Sequence, residues 1–173
     1  MAKLPTNHLL SITKSSAQIL NNFRLGVHIA QLSGLSIDQL LEGAARDRLD
    51  FARNTLRCAR WALSGQRPQY RVALARSYYA MYHAARAVVY FIESGDDHEA
   101  HMELPKHLPK DFPDRERWEN EIKTARFERN RADYDPYPKT DGAFKTIANS
   151  TFGTAEHFLS IARRYLVRKG CAL

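Results

Sequence analysis

The stretch richest in chemically useful side chains is RFERNRADYDPY, from Arg126 to Tyr137. It combines three arginines with acidic side chains, Asn130 and two tyrosines. Guanidinium groups are permanently charged and grip phosphate in a fork, while asparagine and tyrosine add neutral hydrogen bonds. These residue types predict an anion-binding site suited to phosphate.

The spacing places most of these groups at the end of one helix. A charged helical run precedes the stretch, and prolines follow it, so the helix should stop just before the first proline. Arg126 and Arg129 are three residues apart and share a helix face. Arg129 and Asp133 are four apart and lie on one side, with Asn130 and Tyr134 beside them. The helix end therefore concentrates the candidate binding groups.

The same residues have a purely structural interpretation. Arg129 and Arg131 would pair with Glu128, Asp133 and Asp135 on a solvated surface, where such ion pairs contribute little stability. Cations near a helix C-terminus are also favoured by the helix dipole. The stretch alone leaves both interpretations open.

Composition favours a single globular domain with a basic surface. The chain has 173 residues and a net charge of +7, with the excess in residues 51–100 and 151–173. A basic surface favours polyanions, above all nucleic acid. Cys58 and Cys171 are far apart and form no metal spacing, which indicates free thiols. With no secretory signal pattern and no long apolar run, we expect a cytoplasmic protein that does not enter a membrane.

Hydrophobic periodicity predicts an all-α fold, an up-and-down helical bundle of five core helices with an extra N-terminal helical arm. The arm takes residues 1–35 and the bundle residues 36–170. Ser36 and Gln39 have the spacing of a capping box at the start of a long helix. We expect helical segments over 7–31 (one or two helices), 37–64, 69–93, 114–134 and 141–169.

The segment over 69–93 is apolar almost all round, so it should be the most buried helix. Arg76 and Arg86 are exceptions, and a buried arginine must be paired or lie at a cleft. His83 is more often a core histidine with satisfied hydrogen bonds than a catalytic one.

Three further histidines, His98, His101 and His107, lie in the loop that follows. No thiolate accompanies them, their spacing is not a recognised zinc pattern, and prolines interrupt the loop. We therefore expect neither a metal site nor another cofactor.

The combination of ARSYYAMYHAARAVVY, a loop with His101, Leu104 and Pro105, and a helix ending in RNRADYD resembles HEPN domains. These are small all-helical modules named for nucleotide binding in higher eukaryotes and prokaryotes. The resemblance covers roughly residues 37–169 and implies binding of RNA or a nucleotide by a homodimer.

Catalytic members of that family resemble metal-independent endoribonucleases in which the motif helices of two protomers meet at one cleft. Their motif has an arginine, a polar residue and then a histidine after a variable spacing. Here the arginine and the polar residue fall on Arg129 and Asn130, and the histidine position falls on Tyr134 or, with longer spacings, on Asp135 or Pro136. Tyrosine, with a pKa of about 10, is a poor replacement for a histidine in proton transfer. His83 or His101 from neighbouring elements could substitute. Whether the chain is an enzyme therefore stays open.

The clustered motif and the positive charge of the chain together predict which residues bind RNA or nucleotide. Arg129, Asn130 and Tyr134 would form the catalytic position, and Arg126, Arg131, Arg76 and His83 would surround it.

Other family members are toxins, or modified targets, paired with small nucleotidyltransferases in toxin–antitoxin modules. The RADYD type of ending is common in such paired forms. Tyr134 or Tyr137 would then be the residue that the partner modifies. The alternative function is thus a non-catalytic module that docks a nucleotidyltransferase or another protein.

Overall fold

The computed structural model describes residues 5–173, and within this range every regular element is helical, with no strand. The predicted all-α class is therefore confirmed. The α-helices are α1 (Thr6–Thr13), α2 (Ala17–Ser33), α3 (Ile37–Leu63), α4 (Tyr70–Glu93), α5 (Arg115–Tyr134) and α6 (Lys145–Arg168). Two short 3-10 helices, Leu104–His107 and Asp141–Phe144, precede α5 and α6.

Local sequence signals account for several of the helix ends. Ser36 and Gln39 form the predicted capping box, in which Gln39 N–H donates to Ser36 Oγ (3.2 Å) and Ser36 N–H donates to Gln39 Oε1 (2.9 Å). Gly34 closes α2 with a left-handed φ of 68°, a conformation that costs glycine little. The last predicted helix is shorter than expected, because Asp141–Phe144 forms a 3-10 turn.

The chain divides into two compact units, Met1–Leu40 and Leu41–Leu173. The second unit contains most of α3 together with α4, α5 and α6, so it has four long helices where five core helices were predicted. The expected arm boundary at residue 35 remains a prediction. No helix among the described residues is both long and apolar enough to cross a membrane.

The core of the second unit is built around α4, as its apolar sequence predicted. Half of its 24 residues are buried. Trp118 and Ile122 of α5 and Phe158 and Tyr165 of α6 pack in the same cluster. Burying an apolar side chain of this size stabilises a fold by about 1.5–3 kcal/mol. The packing around α4 therefore fixes the positions of the other helices and of the functional side chains that they carry.

Candidate functional site

The C-terminal end of α5, which carries the arginine motif, is fixed to the start of α4. Arg71 in the first turn of α4 donates to the carbonyl oxygens of Ala132 (2.6 Å), Asp135 (3.0 Å) and Pro138 (2.7 Å). Its guanidinium also lies over the Phe144 ring, 4.3 Å from the centroid. The last carbonyls of a helix lack partners within it, and Arg71 supplies a donor to Ala132 in the last turn of α5 and to Asp135 directly after it.

The segment that follows α5 also caps the start of α4. Asp141 accepts hydrogen bonds from the backbone N–H groups of Tyr70 (2.6 Å) and Arg71 (3.0 Å). A carboxylate at this position satisfies free N–H groups and interacts favourably with the helix dipole. The segment after α5 therefore locks the two helix ends together, which holds the motif against α4.

Arg129 is the centre of the candidate site. Its Nη2 donates to the Tyr79 hydroxyl (2.7 Å), and its Nη1 donates to Asn130 Oδ1 (3.0 Å) and, more weakly, to the Tyr134 hydroxyl (3.4 Å). The guanidinium carbon lies 5.1 Å from the Tyr79 ring centroid and 5.2 Å from that of Tyr134. With Asp133 added, we call these five residues the Arg129 cluster.

Arg129 is both charged and only partly neutralised. Its side chain is 16% exposed, and its Nε lies 2.7 Å from Asp133 Oδ2. The Nε–H does not point at that oxygen, however, so this buried donor has no hydrogen bond. The contact is therefore an ion pair without hydrogen-bond alignment. A buried donor left in this way has free energy to gain from a further acceptor.

One face of α4 reaches the surface beside the Arg129 cluster. The residues of this face, spaced three or four apart, are only partly buried or exposed, whereas the residues of α4 that lie between them are buried. We call this face the α4 stripe; it comprises Arg76, Tyr79, His83, Arg86 and Tyr90. Between Arg76 and Tyr90 every other residue of α4 is buried, so over this length the stripe is where the helix can meet a ligand or a second protein.

His101 from the loop after α4 lies against the same tyrosines. Its Nδ1 is 2.5 Å from the Tyr78 hydroxyl, and its ring stacks on Tyr82 with centroids 4.1 Å apart. The Tyr79 ring meets it edge-on at 6.0 Å. The Tyr82 hydroxyl donates to the Glu99 carbonyl at 2.6 Å, which holds the loop in place. The fold thus brings a histidine next to Tyr79, the residue that holds Arg129.

Both histidines near the site are driven towards the neutral form. Burial, followed by the charges of Arg86 and Arg48, lowers the pKa of His83 to about 4. Burial, followed by the charges of Arg126 and Arg129, lowers the pKa of His101. A neutral imidazole can accept a proton, and near neutral pH His101 is in that state close to two arginines.

The residues predicted for the site separate into groups. Arg129, Asn130 and Tyr134 are in contact, as their helical spacing implied. Arg131 points elsewhere: it pairs with Glu128 at 2.9 Å, which is the surface ion pair that the alternative interpretation described.

The remaining predicted residues lie around this contact group. Arg126 is half-buried and near enough to lower the pKa of His101. Arg76, expected to be buried, is exposed on the α4 stripe one turn before Tyr79. His83 packs on Tyr79, with ring centroids 6.3 Å apart, and edge-on against Phe51 at 4.6 Å.

Sequence reasoning missed the role of Tyr79, the closest hydrogen-bond partner of Arg129 outside α5. The signal was present in SYYAMYH, where three tyrosines precede His83 within six residues. The apolar character of this helix predicted that it is buried but did not show that Tyr79 faces α5.

A second region rich in arginine lies on another face of the same unit. Arg53, Arg57 and Arg60 of α3 and Arg163 of α6 line a groove of about 640 Å³ between the two helices. Arg53 pairs with Asp50 at 3.1 Å, and Arg60 pairs with Glu156 across the groove. We call this the arginine groove.

A family model described as HEPN domain matches residues 45–166, which is most of the chain. Searches of curated proteins and of solved structures gave no match.

Proposed function

Because the chain belongs to the HEPN domain family, we propose that it binds the phosphate of RNA or of a nucleotide at the Arg129 cluster and cleaves RNA there without a metal ion. Membership supports an RNA- or nucleotide-related function in general. The observation that carries the more specific proposal is the Arg129 guanidinium, held by Tyr79 and Asn130, with its buried Nε–H unsatisfied.

Phosphate binding follows from the electrostatics of Arg129. Its charge is held in a partly buried position, where interactions are stronger than in bulk water. Asp133 is 29% exposed and bound without hydrogen-bond alignment, so a phosphate oxygen can replace it. A fixed guanidinium that meets negative charge as it develops on a phosphate contributes directly to catalysis.

Proton transfer is assigned to His101 rather than to Tyr134. Tyr134 is 70% exposed and meets Arg129 only at 3.4 Å. His101 is held by Tyr78 and Tyr82 and has a lowered pKa. In this mechanism His101 takes the proton of the ribose 2′-hydroxyl, the 2′-oxygen bonds to phosphorus, and the bond to the 5′-oxygen breaks. The departing 5′-oxygen takes a proton from water, and the resulting hydroxide removes the proton from His101. The products are a 2′,3′-cyclic phosphate and a 5′-hydroxyl.

The active form in this proposal is a homodimer in which two copies of the α4 stripe meet. The stripe is the open face of α4, and Phe51 beside it is 55% exposed. Sedimentation equilibrium tests this point. We expect wild type to dimerise and Phe51→Asp to be monomeric. If the two proteins have the same molar mass in solution, the stripe is not the interface.

RNA digestion tests the catalytic assignment. We expect a mixed RNA substrate to be cleaved by wild type with EDTA present, and His101→Gln to lose at least about 100-fold in rate. Tyr134→Phe should stay within about 3-fold, and His157→Gln, a change at an exposed residue of α6, is the matched control. If Tyr134→Phe abolishes cleavage while His101→Gln does not, the assignment of His101 is wrong.

A non-catalytic module that docks a nucleotidyltransferase is the second candidate. It is favoured by the exposure of Tyr134 (70%) and Tyr137 (66%), since both hydroxyls are within reach of a modifying partner. Intact-mass analysis of protein isolated from its native cells tests it. A nucleotidyl adduct on either tyrosine, together with no cleavage by the unmodified protein, would favour this function over ribonuclease activity.

A further inference from the structure

The loop histidines do not act as one group. His101 turns towards the α4 tyrosines, whereas His98 and His107 meet Glu93, the last residue of α4. His98 Nε2 lies 3.1 Å from Glu93 Oε2, and His107 Nδ1 lies 3.8 Å from Glu93 Oε1. One ligand atom from each of the three residues lies within 4.8 Å of the others.

Two imidazole nitrogens and one carboxylate are a typical ligand set for zinc and related ions, whereas magnesium and calcium prefer oxygen ligands. Zinc–ligand bonds of about 2.0–2.2 Å require the three atoms to draw slightly closer. The side chains are 31–35% exposed, so they can move and water can complete the coordination.

The two imidazole rings currently stack, with centroids 3.3 Å apart and planes 10° from parallel. A metal ion lies close to the plane of each imidazole that binds it, so parallel stacked rings cannot share one ion. Binding therefore requires one ring to turn about its Cβ–Cγ bond. The partial exposure of both rings leaves room for this rotation.

The location also favours a cation. Glu93 ends a helix of 24 residues, where the carbonyl groups and the helix dipole create negative potential. Ser94, directly after it, has a left-handed φ of 54°, and the chain reverses there so that His98 comes back beside Glu93. The helix dipole supplies this potential whether or not the two histidines are present.

We propose that Glu93, His98 and His107 bind one divalent transition-metal ion of the zinc class, with water in the remaining positions. The ion ties the segment 94–107 to the end of α4. That segment carries His101 and also Asp96, which accepts a hydrogen bond from Arg86 Nε at 2.7 Å. The site is structural, and it does not depend on the function proposed for Arg129.

Cobalt binding to untagged protein tests the proposal. A Cys58→Ser background removes the exposed thiol, which could bind metal by itself. We expect one equivalent of Co²⁺ to give a visible d–d spectrum that Zn²⁺ displaces. His98→Ala and His107→Ala should each weaken binding by at least about 30-fold, within the range lost when even a supporting residue of a metal site is removed. His157→Ala is the matched control.

Absence of Co²⁺ binding at micromolar concentrations, or equal binding by His98→Ala, His107→Ala and the control, would overturn the site. Helix content from circular dichroism confirms that each variant is folded. Hydrogen exchange tests the role of the ion separately. Zn²⁺ should slow exchange of the amides in residues 94–107 in wild type but not in Glu93→Gln; unchanged exchange in metal-bound wild type would reject the structural role.

Discussion

The Arg129 cluster and the arginine groove both contain arginines, but they hold them in different ways. In the cluster a single guanidinium is 16% exposed, hydrogen-bonded to Tyr79 and placed over two tyrosine rings. In the groove the side chains of Arg53 and Arg60 are 60% and 67% exposed and pair with acids at the surface.

This difference decides what each arginine can do. An exposed charge is screened by water and salt, and its ion pairs contribute little. A charge fixed in a partly buried position interacts strongly and needs no reorganisation when a ligand arrives. The number of arginines therefore says less about a binding site than their burial and the groups that orient them.

The comparison predicts its largest effect when each region loses one arginine. Arg129→Ala should lower the rate of RNA cleavage by about 100-fold, the cost typical of removing a fixed donor from an active site. Arg57→Ala, the matched change in the groove, should stay within about 3-fold because its charge is screened. Initial rates on one RNA at fixed salt provide the measurement. Equal losses of cleavage rate in the two variants would show that the cluster and the groove do not differ in this way.

The stability of the fold should depend on pH through His83, which packs on Tyr79 of the Arg129 cluster. Below pH 6.5 the unfolded chain takes up a proton on His83 that the folded chain binds only near pH 4. Unfolding is then coupled to proton uptake, so the free energy of unfolding should fall as the pH drops from about 6.5 to about 4. Because the ring is partly exposed, we expect a loss of about 1–2 kcal/mol.

Urea denaturation at several pH values measures this loss. In His83→Gln the free energy of unfolding should depend less on pH. His101, whose pKa is also lowered, will retain part of the dependence. His157→Gln on the exposed face of α6 should leave it unchanged. An identical pH dependence in His83→Gln would show that the burial of this ring is not the cause.

Within the cluster, the two tyrosines that contact Arg129 should differ in how much their hydroxyl groups stabilise the fold. Tyr79→Phe removes a hydrogen bond of 2.7 Å to a partly buried charge and should cost about 1.5 kcal/mol of stability. Tyr134→Phe removes a contact of 3.4 Å at an exposed hydroxyl and should cost less than about 0.5 kcal/mol. Urea denaturation of both variants measures the two losses in free energy of unfolding. Equal losses would contradict the expected difference.

The smallest effect is expected in the groove. Arg60→Ala breaks a pair with Glu156 in which both side chains are more than 40% exposed, and it should change stability by less than about 0.5 kcal/mol. Thermal unfolding in low and high salt checks this. A destabilisation above 1 kcal/mol would mean that the groove is more rigid than its exposure indicates.

Much of the fold was predictable because its signals are local. The capping box at Ser36, the prolines after Asp135 and the nearly continuous apolar sequence of α4 act over a few residues, so these helix ends and the most buried helix followed from the sequence. The 3-10 turn at Asp141 was missed because its carboxylate binds backbone N–H groups about 70 positions earlier in the chain. No local pattern carries such a contact.

The site was predictable only in part, for the same reason. Helical spacing was enough to place Asn130 and Tyr134 beside Arg129. It did not show that Arg131 turns away to Glu128, or that Arg76 is exposed. These outcomes depend on which side of α5 and α4 the other helices cover.

The sequence by itself determined an all-α chain of the HEPN family and the arginine motif at the end of one helix, because periodicity, capping and motif spacing are properties of neighbouring residues. Only the tertiary structure decided that Tyr79 holds Arg129, that His101 joins the tyrosines, and that His98 and His107 meet Glu93 instead. These contacts join residues brought together by helix packing and by the reversal of the chain after α4, and neither is encoded in the spacing of the residues themselves.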